Sequence, residues 1–292
     1  MFSPGKQFGG FLIENVIYMN KPKTSVVFKS TLTNGEKVAI KCLSIKHFGK
    51  QIRNESKVFR EFKSNEKIIK CLDSFRHGRY HCFVLKYAEN GDLYNYIKKR
   101  DIISESSVKN IIYNVLLALN DLHSKGFCHQ DIKIDNILLF GDETTAVLAD
   151  FGSTEKINDG EKSSSILGSP IYLAPEILTS KLHDKSADMW ALGVTLFMLL
   201  AGEIPFYGKN AKQLLDDIES RTKRQGGISA CPELNNSSKE AKDLISAMLQ
   251  EDPEKRIKAP EALKSAWFNS LDEFPSKCVE SHEEVESIEV AL

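Results

Sequence analysis

The sequence predicts an α+β protein with a strand-rich N-terminal part and a mainly helical C-terminal part. Three segments near the N-terminus are strand-like: 11–18, 25–31 and 37–43. Thr33-Asn34-Gly35-Glu36 joins the last two as a typical hairpin turn. Further along, apolar residues recur at helical spacing from 105 to 125, and 189–201 is apolar on all sides. The chain has 292 residues, enough for one large domain or two small ones.

Composition excludes some classes of function. With a net charge of -1, the chain has no global attraction for nucleic acid or an anionic membrane. The six cysteines are scattered without a Cys-x-x-Cys pair, so we expect reduced core residues rather than zinc ligands or disulfides. No long apolar run follows basic residues at the N-terminus, and 189–201 is too short to span a bilayer. A cytoplasmic location, or a nuclear one, is the expectation.

The first helical stretch has one acidic residue on its apolar face. Glu55 falls in the middle of an apolar helix face, whereas Glu61 falls on the far side; the apolar members of that face are Ile52, Val58, Phe59 and Phe62. Glu55 therefore needs a buried partner, and Lys41 in the apolar strand Val38-Ala39-Ile40-Lys41 is the obvious candidate. The alternative is that Glu55 extends to water.

Two polar breaks interrupt apolar segments in the second half of the chain. His129 to Asn136 lies between Phe127-Cys128 and Ile137-Leu138-Leu139, and Asp150-Phe151-Gly152 follows a buried strand. Charged groups there are costly unless paired, and a reactive site is one explanation. Asp131 can accept a proton, Lys133 can neutralise growing charge and Asn136 can offer an oxygen to a hard cation. The alternative for each break alone is a hydrogen-bonded turn.

Taken together with Lys41 and with Ala174-Pro175-Glu176, these residues resemble the eukaryotic protein kinases of the serine/threonine type. Gly202-Glu203-Ile204-Pro205-Phe206 and 241–268 are most similar to the calcium/calmodulin-dependent and AMP-activated branch. The resemblance implies a two-lobed fold with a small β-rich N-lobe carrying one helix and a large, mainly helical C-lobe. Its expected divisions are an N-terminal extension (1–10), the N-lobe (11–85), a hinge (86–92), the C-lobe (93–268) and an acidic tail (269–292).

The resemblance also implies a mechanism with ATP and Mg²⁺ as cofactors and proteins as substrates. Lys41, tethered by Glu55, would hold the phosphates, while Asn136 and Asp150 would bind magnesium. The implied catalytic residues are Asp131, which deprotonates the substrate hydroxyl, Lys133, which stabilises the transferred group, and Ser169 in the segment that seats the substrate. The remaining nucleotide-binding residues would be Val26, Val27, Ala39, the gatekeeper Leu85, the hinge residues Lys86 and Ala88, Asp92 and Leu138. We expect a monomer that binds neither nucleic acid nor membrane.

The sequence departs from the family in the loop expected to cover the phosphates. Residues 19–25 contain no glycine, and Pro22 has no N–H to donate. Lys21 and Lys23 could replace the lost donors by charge. The rival function is accordingly a pseudokinase that acts as a nucleotide-binding or scaffolding partner. Five retained residues argue against it: Lys41, Glu55, Asp131, Asn136 and Asp150. A small-molecule kinase is a weaker third hypothesis.

A second departure is Gln130, which stands where the family usually has an arginine that receives an activation-segment phosphate. Activity should therefore not require that pairing. Ser163, Ser164 and Ser165 still sit where relatives are often phosphorylated, and solvated loop serines are the alternative.

Three further residues are expected to be structural by resemblance: Asp188, holding the catalytic loop, and Glu176 with Arg256, forming an ion pair.

Overall fold

The N-terminal half is built on a five-stranded antiparallel sheet. The computed structural model describes residues 2–99, 103–141, 145–165, 168–179 and 182–269. Its sheet has the strand order β3-β4-β5-β7-β6. The strands are β3 (Asn15–Met19), β4 (Ser25–Thr31), β5 (Lys37–Ser44), β6 (Cys71–His77) and β7 (Tyr80–Lys86), and one helix, α1 (Ile45–Glu61), follows β5. This arrangement agrees with the predicted β-rich lobe.

The two faces of this sheet bury different cores. Along β5, Leu43 belongs to the main core shared with α1, whereas Ile40 and Cys42 face the opposite side. Alternate residues of a strand point to opposite faces, which explains the division. The outer face is covered by a short N-terminal hairpin, β1 (Gln7–Phe8) and β2 (Phe11–Leu12), with Phe2 and Phe8 buried against Phe28 and Tyr80.

The C-terminal half is mainly helical. Its helices are α2 (Leu93–Lys98), α3 (Glu105–Ser124), α4 (Pro175–Leu178), α5 (Ser186–Ala201), α6 (Ala211–Lys223), α7 (Lys239–Met248) and α8 (Ala259–Ala262). Ser104 caps α3 by accepting the Ser107 N–H, and Gly126 follows it with a φ of 77°, as the sequence predicted. Twelve of the 16 residues of α5 are buried, which explains its predominantly apolar sequence. Among the described helices, none is long and apolar enough to cross a membrane.

Short strands carry the polar segments of this half. Strand β8 (Phe127–Cys128) pairs with β11 (Glu155–Lys156), and β9 (Ile137–Phe140) pairs with β10 (Thr145–Leu148). The stretch 129–136 therefore connects β8 to β9, and 150–152 leaves the end of β10. The predicted strand 11–18 is interrupted and forms β2 and most of β3 instead. The predicted tail lies, apart from residue 269, outside the described residues.

Candidate active site

Lys41 lies in the middle of the sheet and contacts two carboxylates. Its Nζ bonds to Glu55 of α1 and, at 2.9 Å, to Oδ1 of Asp150 after β10. Glu55 is fully buried, so the predicted pairing of these two residues is confirmed. One ammonium thus joins the sheet, the helix and the polar break at 150–152.

Two carboxylates sharing one ammonium have very different pKa values. Burial raises the pKa of Glu55 to about 8, and its Oε2 has no hydrogen-bond partner among the described residues. The positive charge of Lys41 holds the pKa of Asp150 well below its usual range. Burial alone would lower the pKa of Lys41, but the two carboxylates outweigh it and raise that pKa. At neutral pH, Lys41 is therefore a cation facing an ionised Asp150.

The Asp150-Phe151-Gly152 turn is held from both lobes. Phe151 is fully buried, with its ring centroid 6.0 Å from that of Phe59 in α1 and 5.1 Å from that of His129. Asn54 Nδ2 donates to the Gly152 carbonyl at 2.9 Å. Asp150 itself has a φ of 60°, a conformation that non-glycine residues rarely adopt. The packing of Phe151 thereby directs the carboxylate of Asp150 toward Lys41 while leaving its side chain 47% exposed.

Asp188, at the start of α5, holds the loop that carries the catalytic candidates. Its carboxylate accepts the backbone N–H groups of His129 and Gln130 at 2.8 Å each, and contacts His123 Nε2 at 2.8 Å. Burial alone would raise the pKa of Asp188, but these contacts keep that pKa below its ordinary value. A buried carboxylate thus fixes the loop from behind, as the sequence predicted.

Asp131, Lys133 and Asn136 form one hydrogen-bonded group. Lys133 Nζ donates to both carboxylate oxygens of Asp131, at 3.1 and 2.8 Å. Asn136 Nδ2 donates to Asp131 Oδ2 at 3.0 Å and to its backbone oxygen at 2.8 Å. The backbone carbonyl of Asn136 accepts the Ala149 N–H at 2.9 Å, so Asp131, Lys133 and Asn136 lie beside Asp150. The structure therefore brings together the four polar residues that the sequence singled out.

Ser169 lies on the wall of the same cavity as Asp131. Gly168 comes very close to the catalytic loop, because a Cβ added there would lie 3.1 Å from the Gln130 carbonyl oxygen. Gly168, Ser169 and Leu173 line this cavity with Asp131. Within the described residues, no hydrogen bond joins Ser169 to Asp131, so the predicted role of Ser169 stays a prediction.

The candidate nucleotide pocket lies between the sheet and the segment after β7. Ala39 pairs with Leu85, and Lys41 with Val27, so Val27, Ala39 and Leu85 share the face of Lys41. Val26 is fully buried in the outer core, so its predicted place in the pocket is wrong. Neighbouring residues on a strand cannot face the same side.

The segment after β7, which is the expected hinge, has a backbone N–H group that is not bonded within the described chain. The Lys86 N–H is used by the Lys70 carbonyl at 3.0 Å, but nothing in the described chain accepts the Ala88 N–H. Asp92 caps α2 through the Asn95 N–H at 2.7 Å and forms a β-bridge with Leu138. Leu138 and Asp92 thus lie side by side, and their contact with a nucleotide stays a prediction.

The glycine-free loop is closed by its own hydrogen bonds. Asn20 Oδ1 accepts the N–H groups of Thr24 and Ser25 at 2.8 Å each, and the Asn20 carbonyl accepts the Lys23 N–H. Lys23 has a φ of 66°, and its carbonyl accepts the Tyr80 hydroxyl. These N–H groups are therefore not free to bind phosphate.

Behind the site, Arg256 forms the predicted ion pair with Glu176. Arg256 Nη1 and Nη2 donate to the two Glu176 oxygens at 2.7 and 3.0 Å, and both residues are buried. The guanidinium also donates to the Ser186 carbonyl and lies 5.1 Å from the Trp190 ring centroid. This pair ties the segment after residue 168 to α5.

Comparison with known proteins gives consistent relatives. The sequence matches the family model of the protein kinase domain over residues 21–268. It is 32% identical over 246 residues to a probable myosin light chain kinase of Dictyostelium discoideum, covering 83% of this chain and 77% of that protein. It is 34% identical to the human phosphorylase b kinase gamma catalytic chain, liver/testis isoform, and 32% identical to the Caenorhabditis elegans calcium/calmodulin-dependent protein kinase type II. These matches cover 75% and 84% of this chain but 54% and 33% of the two relatives.

Proposed function

The chain belongs to the protein kinase family and is an ATP-dependent kinase of the serine/threonine type, and we propose which residues carry out each part of the transfer. The observation that carries the proposal is the juxtaposition of Lys41 and Asp150 with the hydrogen-bonded group of Asp131, Lys133 and Asn136. In phosphoryl transfer, catalysis depends mainly on positioning and on stabilisation of charge.

The cleft has the donors that a nucleotide and a hard cation require. The Ala88 N–H can donate to the adenine edge, between Val27, Ala39 and Leu85 above and Leu138 below. Lys41 supplies a permanent positive charge for phosphate oxygens. Asp150 supplies an ionised and half-exposed carboxylate. Asn136 supplies the oxygen of its side-chain amide, because the amide nitrogen already donates to Asp131. Carboxylate and amide oxygens are ligands that Mg²⁺ prefers. When bound, Mg²⁺ neutralises phosphate charge.

Asp131 and Lys133 act on the substrate hydroxyl and the transferred group. Asp131 orients the hydroxyl and accepts its proton, since its carboxylate is fixed by Lys133 and Asn136 and opens on the cavity lined by Gly168 and Ser169. Lys133 stabilises the negative charge on the moving phosphoryl group. Ser169 contributes to seating the substrate next to Asp131.

Two carboxylates near the cleft favour basic substrates. Asp92 is half-buried at the start of α2, and Asp135 is exposed in the catalytic loop. We expect a modest preference for arginine or lysine before the phosphorylated residue, which a peptide array varying upstream charge would measure. An array indifferent to upstream charge contradicts this preference.

The rival scaffolding function receives no support beyond the glycine-free loop. The contact of Lys41 with Glu55 and the buried position of Phe151 hold Lys41 and Asp150 in the same site. A cytoplasmic or nuclear location agrees with the free cysteines of the described residues. The net charge of -1 gives no general attraction for nucleic acid or for an anionic membrane, and we propose that the chain acts as a monomer.

A transfer assay with radiolabelled ATP and a generic basic peptide tests the proposal. Asp131→Asn should lower kcat by about 100- to 10,000-fold, the usual contribution of a general base. Asp243→Asn, on the exposed face of α7, is the matched control and should keep full activity. A wild-type chain that binds Mg-ATP but transfers no phosphate would favour the scaffold instead, and an active Asp131→Asn variant would remove Asp131 from its role.

A further inference from the structure

Glu155 is the centre of a hydrogen-bond network that connects three parts of the chain. Its Oε2 accepts Gln130 Nε2 at 3.1 Å, the Ser163 hydroxyl at 2.7 Å and the Ser165 hydroxyl at 3.3 Å. The strand that holds Glu155 pairs with β8, where Glu155 lies opposite Cys128, two residues before Gln130. The segment that holds Ser163 and Ser165, which we call the activation segment, is therefore joined through one carboxylate to the catalytic loop, residues 129–136.

The network is arranged around a negative charge that the chain itself supplies. Burial alone would raise the pKa of Glu155, but the hydroxyls and the Gln130 amide keep that pKa below its usual value, so Glu155 is ionised. Its hydrogen-bonded neighbours among the described residues are uncharged, and the exposed Lys50 is a cation that also lowers its pKa. At this site Gln130 is therefore a neutral donor bound to an ionised carboxylate.

The same network bears on the catalytic geometry. Ser163 exchanges two backbone hydrogen bonds with His183, at 2.8 and 3.0 Å, and His183 is buried with its pKa lowered by that burial. Ser165 stands three residues before Gly168, which packs against the Gln130 carbonyl and lies near Asp131. Displacement of Ser163 and Ser165 from Glu155 would therefore move the segment that lines the cavity of Asp131.

We propose that Glu155 is a positioning residue that holds the activation segment in its working conformation without phosphorylation, and that a phosphate on Ser165 lowers kinase activity. This inference rests on the proposed function. In the modifying step, the Ser165 hydroxyl oxygen bonds to the γ-phosphorus of ATP, the bond to ADP breaks and the hydroxyl proton passes to a base. The phosphoserine oxygens carry nearly two negative charges and donate no hydrogen to Glu155. The hydrogen bond from the Ser165 hydroxyl is therefore replaced by electrostatic repulsion between the phosphate and the carboxylate.

The test compares charged substitutions at two neighbouring serines. Ser165→Glu should lower kcat/KM for a peptide about 10-fold or more, since like charges a few ångströms apart repel strongly near a protein surface. Ser164→Glu adds the same charge at an exposed position and should stay within about 2-fold of wild type. The KM for ATP should be unchanged in both variants, because the network lies on the peptide side of the site.

A rescue variant separates repulsion from general damage. Glu155→Gln removes the resident charge but keeps the shape, so Ser165→Glu combined with Glu155→Gln should recover most of the activity of Glu155→Gln alone. Thermal melting of every variant shows whether Ser165→Glu merely unfolds the chain, in which case the rescue would fail and the proposal with it. The proposal is overturned if Ser165→Glu activates, or if Ser164→Glu causes an equal loss. An inactive wild type in the same assay would instead count against the proposed function.

Discussion

Neutralising Lys21 and Lys23 together should weaken the binding of ATP without affecting that of adenosine. The loop that carries them offers no free backbone donors at Lys23, Thr24 or Ser25, because all three N–H groups bond to Asn20. Both lysine side chains are exposed. If this loop contacts phosphates, it must do so through charge rather than through its backbone.

The expected size of the effect follows from that exposure. An ammonium about 4 Å from a phosphate charge contributes ~1 kcal/mol in water. Two lysines therefore contribute ~2 kcal/mol, which corresponds to an increase of about 30-fold in the Kd for ATP when both are replaced by methionine. The effect should shrink as salt rises, because exposed charges are screened. Adenosine has no phosphate, so its Kd should not change.

Titration calorimetry with Mg-ATP and with adenosine, at low and high salt, measures both quantities. Lys6→Met with Lys63→Met makes the same charge change at two exposed lysines outside the loop, and is the control. Equal ATP affinities for the two double variants would refute the argument. An equal loss of adenosine affinity would point to a distorted loop rather than to lost charge.

Three further measurements concern stability. Arg256→Met leaves the buried Glu176 unpaired and should lower the free energy of unfolding by about 3–5 kcal/mol in urea titrations, whereas adding Glu176→Leu should recover part of it. Burial lowers the pKa of His129 below its value in the unfolded chain, so below pH 6.5 the unfolded state binds a proton more readily than the native state. The free energy of unfolding should therefore fall as the pH drops below about 6.5. His129→Gln should flatten that dependence between pH 7.5 and 5.5. Phe8→Ala should cost about 3–5 kcal/mol without changing kcat, since the outer core faces away from Lys41, while the exposed Leu12→Ala should cost little.

The parts of the fold that the sequence predicted are those where burial imposes a pattern. Glu55 was assigned a partner because a charge on an apolar helix face needs one, and the structure supplies Lys41. Strand β6 was missed because most of it is exposed, so it shows no alternation of apolar and polar residues. The packing of Phe2 and Phe8 onto the sheet was also missed, since contacts between distant segments leave no local signal.

The site was predictable in residue type but not in register. Val26 and Val27 were both placed in the nucleotide pocket, and only the pairing of Val27 with Lys41 decides between them. Glu155 went unnoticed because a polar residue in a polar segment is unremarkable until its partners are known. Its role depends on three side chains from 8 to 25 residues away, which no spacing rule brings together.

The anchors of the site converge on one helix, α5. Asp188 in its first turn holds the catalytic loop, and the Ser186 carbonyl accepts the Arg256 guanidinium that also binds Glu176. The helix is packed tightly enough that a Cβ on Gly193 would lie 2.8 Å from the Met248 side chain. A close-packed interior yields little to local strain. The catalytic loop (129–136) and the segment after residue 168 are therefore fixed to a buried, closely packed helix. With that support from behind, the single carboxylate of Glu155 is enough, under our proposal, to hold Ser163 and Ser165 in place without a phosphate.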